Sequence, residues 1–405
     1  MKNKIKTSDN ASSRERSKKI LIKFGAIFMS CILLVGVIFG AVGIVKNTRA
    51  VMKYKGVYLT SGVANYLSAL YKYDFMSALA GVGIESYDSE DFWQSETEDG
   101  EIWADILTDG VNTYLKRIVI GNYLFDRNTR LNSDDKAVIE KAVGEVIDYR
   151  LGGRDNFNKL ADEMGFTYRD FEKAVEILYK YEMAEKVVFG YDGSALSGGG
   201  FEEECDEYFE SAYSKVMLMF IRTDGEYYTD PETGKEEFSE YDDATKQTVA
   251  EEIAYIRMLT ENANNQSGEQ MNAELFRDYI VQDYPTGSAN DTEGYYFSDE
   301  SSYSLEFAQG APEIVRLALT LEEGEYAECE VDFGVCFIYK CPLDERAYTR
   351  AMVAHFFADF YANASSYLYS KSLDTYITAV TVKNRYNSES VLTVPYSYEL
   401  SVKFG

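Results

Sequence analysis

Histidine is nearly absent from this chain, with one copy, His355, in 405 residues. Histidine-built zinc sites are thereby excluded, and no Cys-x-x-Cys pair stands in for them. A Ser-His-Asp triad would have to recruit His355, and no G-x-S-x-G motif presents a nucleophile. Cysteine is scarce too, at five copies. Cys31 lies in an apolar run; Cys205, Cys329, Cys336 and Cys341 read as buried free thiols, since pairing cannot be read from spacing. Basic charge is short: 40 Lys and Arg stand against 68 Asp and Glu, a net of −28. Bases crowd the first 55 residues, and from position 56 onward 28 basic face 66 acidic residues, a net of −38. Such a body repels phosphate backbones, which excludes nucleic acid as a partner. No motif for a cofactor or metal appears. The loop "DGEYYTDPETGKEE" lacks the alternating acid spacing of a Ca²⁺ loop.

What is abundant points to a folded chain. Apolar residues make up 46%, aromatics 15%, and Tyr alone counts 34, which excludes disorder. The length predicts more than one domain. Residues 20–45, "ILIKFGAIFMSCILLVGVIFGAVGIV", carry a single charge, Lys23, and suffice to span about 30 Å of hydrocarbon. Seven bases and two acids precede them in residues 1–19. The positive-inside rule predicts a cytoplasmic basic segment at 1–19, a transmembrane helix at 20–45 and an extracytoplasmic body. The run is too long for a cleavable signal. The basic stretch "KNTRAVMKYKG" just beyond it suits anionic headgroups.

From 57 a short strand-like start leads into a helix capped by Thr60 or Ser61. Further helices follow, one with Trp103, Ile106, Leu107 and Val111 on a face, one capped by Ser133, and one capped by Thr167 after a stop at Gly165. Residues 57–190 thus read as helical. "GYDGSALSGGGF" at 190–201 reads as a Gly/Ser linker. Beyond it come a helix, a strong strand at 215–223, an acidic loop, more helices, "GYYF", a helix at "APEIVRLALTL" and the hairpin "GEYAECEVDFGVCFIYKC" at 324–341. That mixture is α+β. Residues 346–378 read as one long helix with apolar sides needing a partner, and the tail as extended and edge-like. His355 reads as a packed helix residue.

Three stretches resemble the PrsA/SurA type of extracytoplasmic foldase. "SKVMLMFIRT" is similar to the first strand of a parvulin-type prolyl isomerase domain, "NDTEGYYF" to its Gly-aromatic segment, and "LTLEEGEYAECEVDFGVCFIYKC" to its closing hairpin. The resemblance implies a helical chaperone domain over 51–200, completed by 346–405, with a parvulin-like domain inserted over 201–345. It places Leu218 and Cys336 where the family has two facing histidines. It also implies a substrate-binding set of Leu218, Phe220, Tyr295, Tyr296, Phe297, Cys336 and Ile338. If 215–222 and 334–341 are neighbouring strands, period-2 alternation puts Leu218 and Cys336 on one face, either as ordinary sheet residues under a covering helix or at the base of a shallow apolar, proline-accepting pocket. The implied partners are unfolded secreted polypeptides, with the membrane held through one helix and no cofactor. An active prolyl isomerase and a non-catalytic envelope interaction protein are the alternatives.

Overall fold

The computed structural model describes residues 50–84, 88–266, 272–278, 294–299, 312–383, 387, 389–396 and 398–404. The expected basic segment and transmembrane helix at 1–45 lie outside them. Among the described residues no helix is long and apolar enough to cross a membrane. The chain forms two compact units, one holding residues up to Tyr191 together with Tyr369 onward, the other Asp192–Leu368.

The first unit opens with β1 (Ala50–Tyr54) and β2 (Val57–Thr60), an antiparallel hairpin. Its two-residue turn places Lys55 at φ 40° and Gly56 at φ 100°, the left-handed geometry that matches strand twist. The stretch expected to suit headgroups is therefore partly strand: Val51, Met52 and Tyr54 are buried, and Lys55 lies over the rings of Tyr54, Tyr123 and Tyr376.

Helix α1 (Ser61–Gly81) is capped by Thr60, whose hydroxyl accepts from the Val63 amide. Then come α2 (Glu90–Trp93), α3 (Trp103–Asn128) and α4 (Ser133–Gly144). The cap of α4 is Asn132, one residue before the expected Ser133, because the Asn132 side chain accepts from both Asp134 and Asp135 while Asp135 reaches back to Asn132. The coil widens into a π turn at Glu145–Arg150. Helices α5 (Arg154–Asp162) and α6 (Tyr168–Phe189) complete the run, α6 with a Thr167–Asp170 capping box. Asn122 of α3 donates to the carbonyls of Ile118 and, across to α6, Ile177, at 3.0 and 2.9 Å.

In the second unit the expected linker forms two short turns with Leu196 buried. Helix α7 (Glu202–Ala212) leads into β3 (Tyr213–Arg222). The expected acidic loop is instead a hairpin, β4 (Gly225–Thr229) with β5 (Glu236–Glu240), held by five in-register pairs. Its alternation was masked by charge, since Glu and Asp are poor strand formers. Helices α8 (Asp243–Gln266) and α9 (Ala273–Phe276), β6 (Tyr295–Ser298), α10 (Pro312–Thr320), β7 (Tyr326–Val331) and β8 (Gly334–Cys341) follow. β7 and β8 are the hairpin expected at 324–341, turning through Asp332 and Phe333. The sheet is antiparallel in the order β6-β3-β8-β7.

The single helix expected at 346–378 is broken. Residues Ala347–Thr349 and Ala351–Phe357 form 3-10 turns, and α11 begins only at Phe360, running to Tyr376. Tyr348 stacks on Phe360 at 4.2 Å, and Phe357 packs on Tyr213 at 5.2 Å. These aromatic contacts hold residues before Tyr369 in the second unit, and only the later part belongs to the first. There, β9 (Thr381–Val382) pairs with β1 as an edge strand, and α12 (Ser390–Thr393) follows. The first unit is thus helical around a small β2-β1-β9 sheet. Lys72 fastens the returning chain, donating to the carbonyls of Leu392 and Val394 at 2.9 and 3.0 Å and pairing with Asp88 at 2.7 Å. Tyr66 donates to the Leu400 carbonyl at 3.1 Å.

Candidate functional site

β3 is central in the four-stranded sheet because its Val, Met, Leu and Phe residues suit burial on both faces. It stays in register with β8 from Lys215–Cys341 to Arg222–Gly334. Residues directly opposite in an antiparallel pair share a face. Leu218 stands opposite Ile338, and Phe220 opposite Cys336, so these four share one face. Tyr295 joins them opposite Val216, and Phe297 opposite Ser214. Tyr296 falls on the other face, opposite Lys215. There its hydroxyl donates to Asp344 at 2.6 Å, and Lys215 and Arg350 each reach the same carboxylate oxygen at 2.9 Å. Consecutive strand residues alternate, so the sequence-derived set cannot converge on one pocket.

Helix α10 covers the Leu218 face, with Ile314 and Ala318 buried. Leu218, Cys336, Ile338, Tyr295 and Phe297 are all buried, and Phe220 is half-buried. Burial pushes the Cys336 thiol well above its ordinary value, keeping it neutral. Neither Leu218 nor Cys336 brings an imidazole or a charge. The opposite face carries the unit's core, where Met217, Met219, Phe337 and Tyr339 pack with Ile253, Ile256 and Phe276.

Lys340 was missed by sequence reading. Counting by two from Cys336 and Ile338 would have found it on the same face. Its ammonium donates to the Ser214 hydroxyl and, at 3.0 Å, to the Ala318 carbonyl of α10. Burial lowers its pKa. The Phe220 end of the face is where aromatic surface emerges. Phe220 meets Phe333 at 5.5 Å, and the Arg222 guanidinium lies over Phe333, Tyr227 and Phe238 at 5.2, 5.0 and 5.3 Å. Tyr227, Tyr228 and Phe238 are exposed on the acidic β4–β5 hairpin. His355 is exposed and lies against Phe356 at 4.1 Å.

The first unit has a cleft of its own, about 770 Å³, where Ile139, Val143 and Ile147 are rimmed by Arg154, Arg169 and Glu172. No group of His, Cys, Asp and Glu among the described residues is arranged to hold a metal.

No protein-family model and no curated protein matches the chain. Solved structures do. The crystal structure of foldase protein PrsA from Streptococcus pneumoniae is 10% identical, with 85% of this chain and 98% of that one covered, at a TM-score of 0.19. PrsA from Bacillus subtilis is 14% identical, over 72% and 92% of the two chains, at 0.18. The foldase PrsA from Lactococcus lactis is 12% identical, over 83% and 96%, at 0.20.

Proposed function

We propose that the chain is a membrane-anchored extracytoplasmic foldase that binds unfolded secreted polypeptides, with a parvulin-like domain that turns prolyl bonds over poorly. One observation carries the reading. Residues Asp192–Leu368, with their strands, helices and closing hairpin, stand in the sequence between the two segments of the other, helical unit, an order of parts that supports the resemblance although its boundary falls later than the expected 346. The exposed aromatics of β4–β5 supply adaptable contact area for clients.

Prolyl rotation has a barrier of about 18–20 kcal/mol, and lowering it needs polar groups beside the amide. Leu218 and Cys336, buried beneath α10, bring no such group, which leaves client contact to the exposed aromatics of β4–β5. Binding without efficient turnover follows. The test is suppression of aggregation of an unrelated unfolded client by the full chain in detergent, run beside a protease-coupled proline-peptide assay. Suppression with little turnover is expected. Turnover at the rate of an ordinary prolyl isomerase would establish the enzyme reading instead. Failure to suppress aggregation would leave an envelope interaction protein.

A further inference from the structure

Cys329 of β7 and Cys336 of β8 are directly opposite each other in an in-register antiparallel pair. The ladder bond from the Lys340 amide to the Glu325 carbonyl puts 329 and 336 in its hydrogen-bonded phase, where partners have Cα atoms about 5.5 Å apart and side chains on one face. A disulfide spans Cα separations of about 4.4–6.8 Å with Cβ atoms about 3.5–4.5 Å apart. Closing the bond therefore draws the two Cβ atoms together from the spacing of about 4.5–5.5 Å between opposite strand partners. The two thiols are free in this structure. Cys336 is buried, whereas Cys329 keeps partial exposure beside α10; partial burial, then Glu313, raises its thiol against the opposing pull of Arg316. The remaining described cysteines do not share this relation: Cys341 is opposite Lys215 on the other face, and Cys205 lies in α7.

We infer that Cys329 and Cys336 are a cross-strand dithiol that low-molecular-weight disulfides convert into an intramolecular disulfide. The Cys329 thiolate, the accessible one, attacks a sulfur of the small disulfide. A bond forms from Cys329 to one half, and the other half leaves as thiolate. Cys336 then gives up its proton to that thiolate or to water and attacks Cys329 Sγ, forming the Cys329–Cys336 bond and expelling the second half as thiolate. Two protein thiols are oxidised by two electrons, and one small disulfide is reduced to two thiols. The product ties β7 to β8 beneath α10, on the Leu218 face. The inference stands on strand register and holds whether or not the chain is a foldase.

The experiment incubates the full chain in detergent with oxidised glutathione, quenches with acid, alkylates and maps peptides by mass. A 329–336 link, two hydrogens lighter, protected from alkylation and reversed by dithiothreitol, is expected. In Cys336→Ser, Cys329 should stop at one glutathione adduct. In Cys329→Ser, adduct formation at Cys336 should be at least about tenfold slower, because burial limits access. Absence of the link in the wild-type chain, or linkage of either residue to Cys205 or Cys341, overturns the proposal. The wild-type result decides by itself if either variant fails to fold.

Discussion

Acidification from pH 7 to pH 5 should stabilise the helical unit. Asp74 of α1 is largely enclosed, and burial pushes its carboxyl up to about 8. Burial likewise raises Glu182 of α6 to about 7, with Lys186 opposing in part. Both carboxyls act on the buried Tyr114 of α3, so they titrate around one helix junction. A raised carboxyl keeps its proton in the folded state after the unfolded chain has lost it. The unfolded chain therefore binds fewer protons between its own pKa and the folded one, and stability falls as pH rises through that window. The slope is about 1.4 kcal/mol per pH unit for each group. Between pH 5 and pH 7 the two together remove about 3–5 kcal/mol, the lower figure allowing for residual solvent contact. For a unit of this size the midpoint should drop on the order of 10 °C. Both tryptophans, Trp93 and Trp103, lie in this unit, so thermal unfolding of the full chain followed by tryptophan fluorescence reports it alone. Asp74→Asn should remove about half of the drop while leaving the pH 4 midpoint nearly unchanged. A midpoint as high at pH 7 as at pH 5, or a full drop retained in the Asn variant, would refute the assignment of a protonated Asp74.

Lys72→Met should cost about 1–3 kcal/mol, because it leaves the carbonyls of Leu392 and Val394 without their donor while Asp88 keeps its bond from Trp93; accelerated proteolysis after residue 380 is the readout, and unchanged cleavage would contradict it. Gly121→Ala places a methyl 2.5 Å from both Tyr181 Cδ2 and the Tyr369 hydroxyl, so a loss of about 1–3 kcal/mol in chemical denaturation is expected. Burial works to raise the Asp344 carboxyl, but hydrogen bonds from Tyr296 and Lys215 outweigh it and hold the pKa below the ordinary value. Its contribution is therefore present above the unfolded carboxylate pKa and lost as pH falls through the folded one. Asp344→Asn should weaken the second unit at pH 7 and narrow its difference from wild type at pH 3, measured by hydrogen exchange of β3 and β6 amides.

The local parts of this fold were legible in the sequence by itself. Thr60 and Thr167 announce their helices because an N-cap needs only its own side chain and the next turn. The 324–341 hairpin is written in its alternation and turn, and the placement of Leu218 and Cys336 on one face follows from period two once their strands are paired. Tertiary structure decided what depends on distant residues. Residues 50–54 become a strand because β2 and the returning β9 pair with them. The charged 225–240 stretch becomes a hairpin through five cross-strand pairs that no propensity signals. The helix expected at 346–378 breaks because Tyr348 and Phe357 gain more from Phe360 and Tyr213 than from one continuous coil. Whether a face of the sheet is an open pocket or a covered one was likewise beyond the sequence, since α10 lies far along the chain from β3 and its packing, not its composition, buries Leu218.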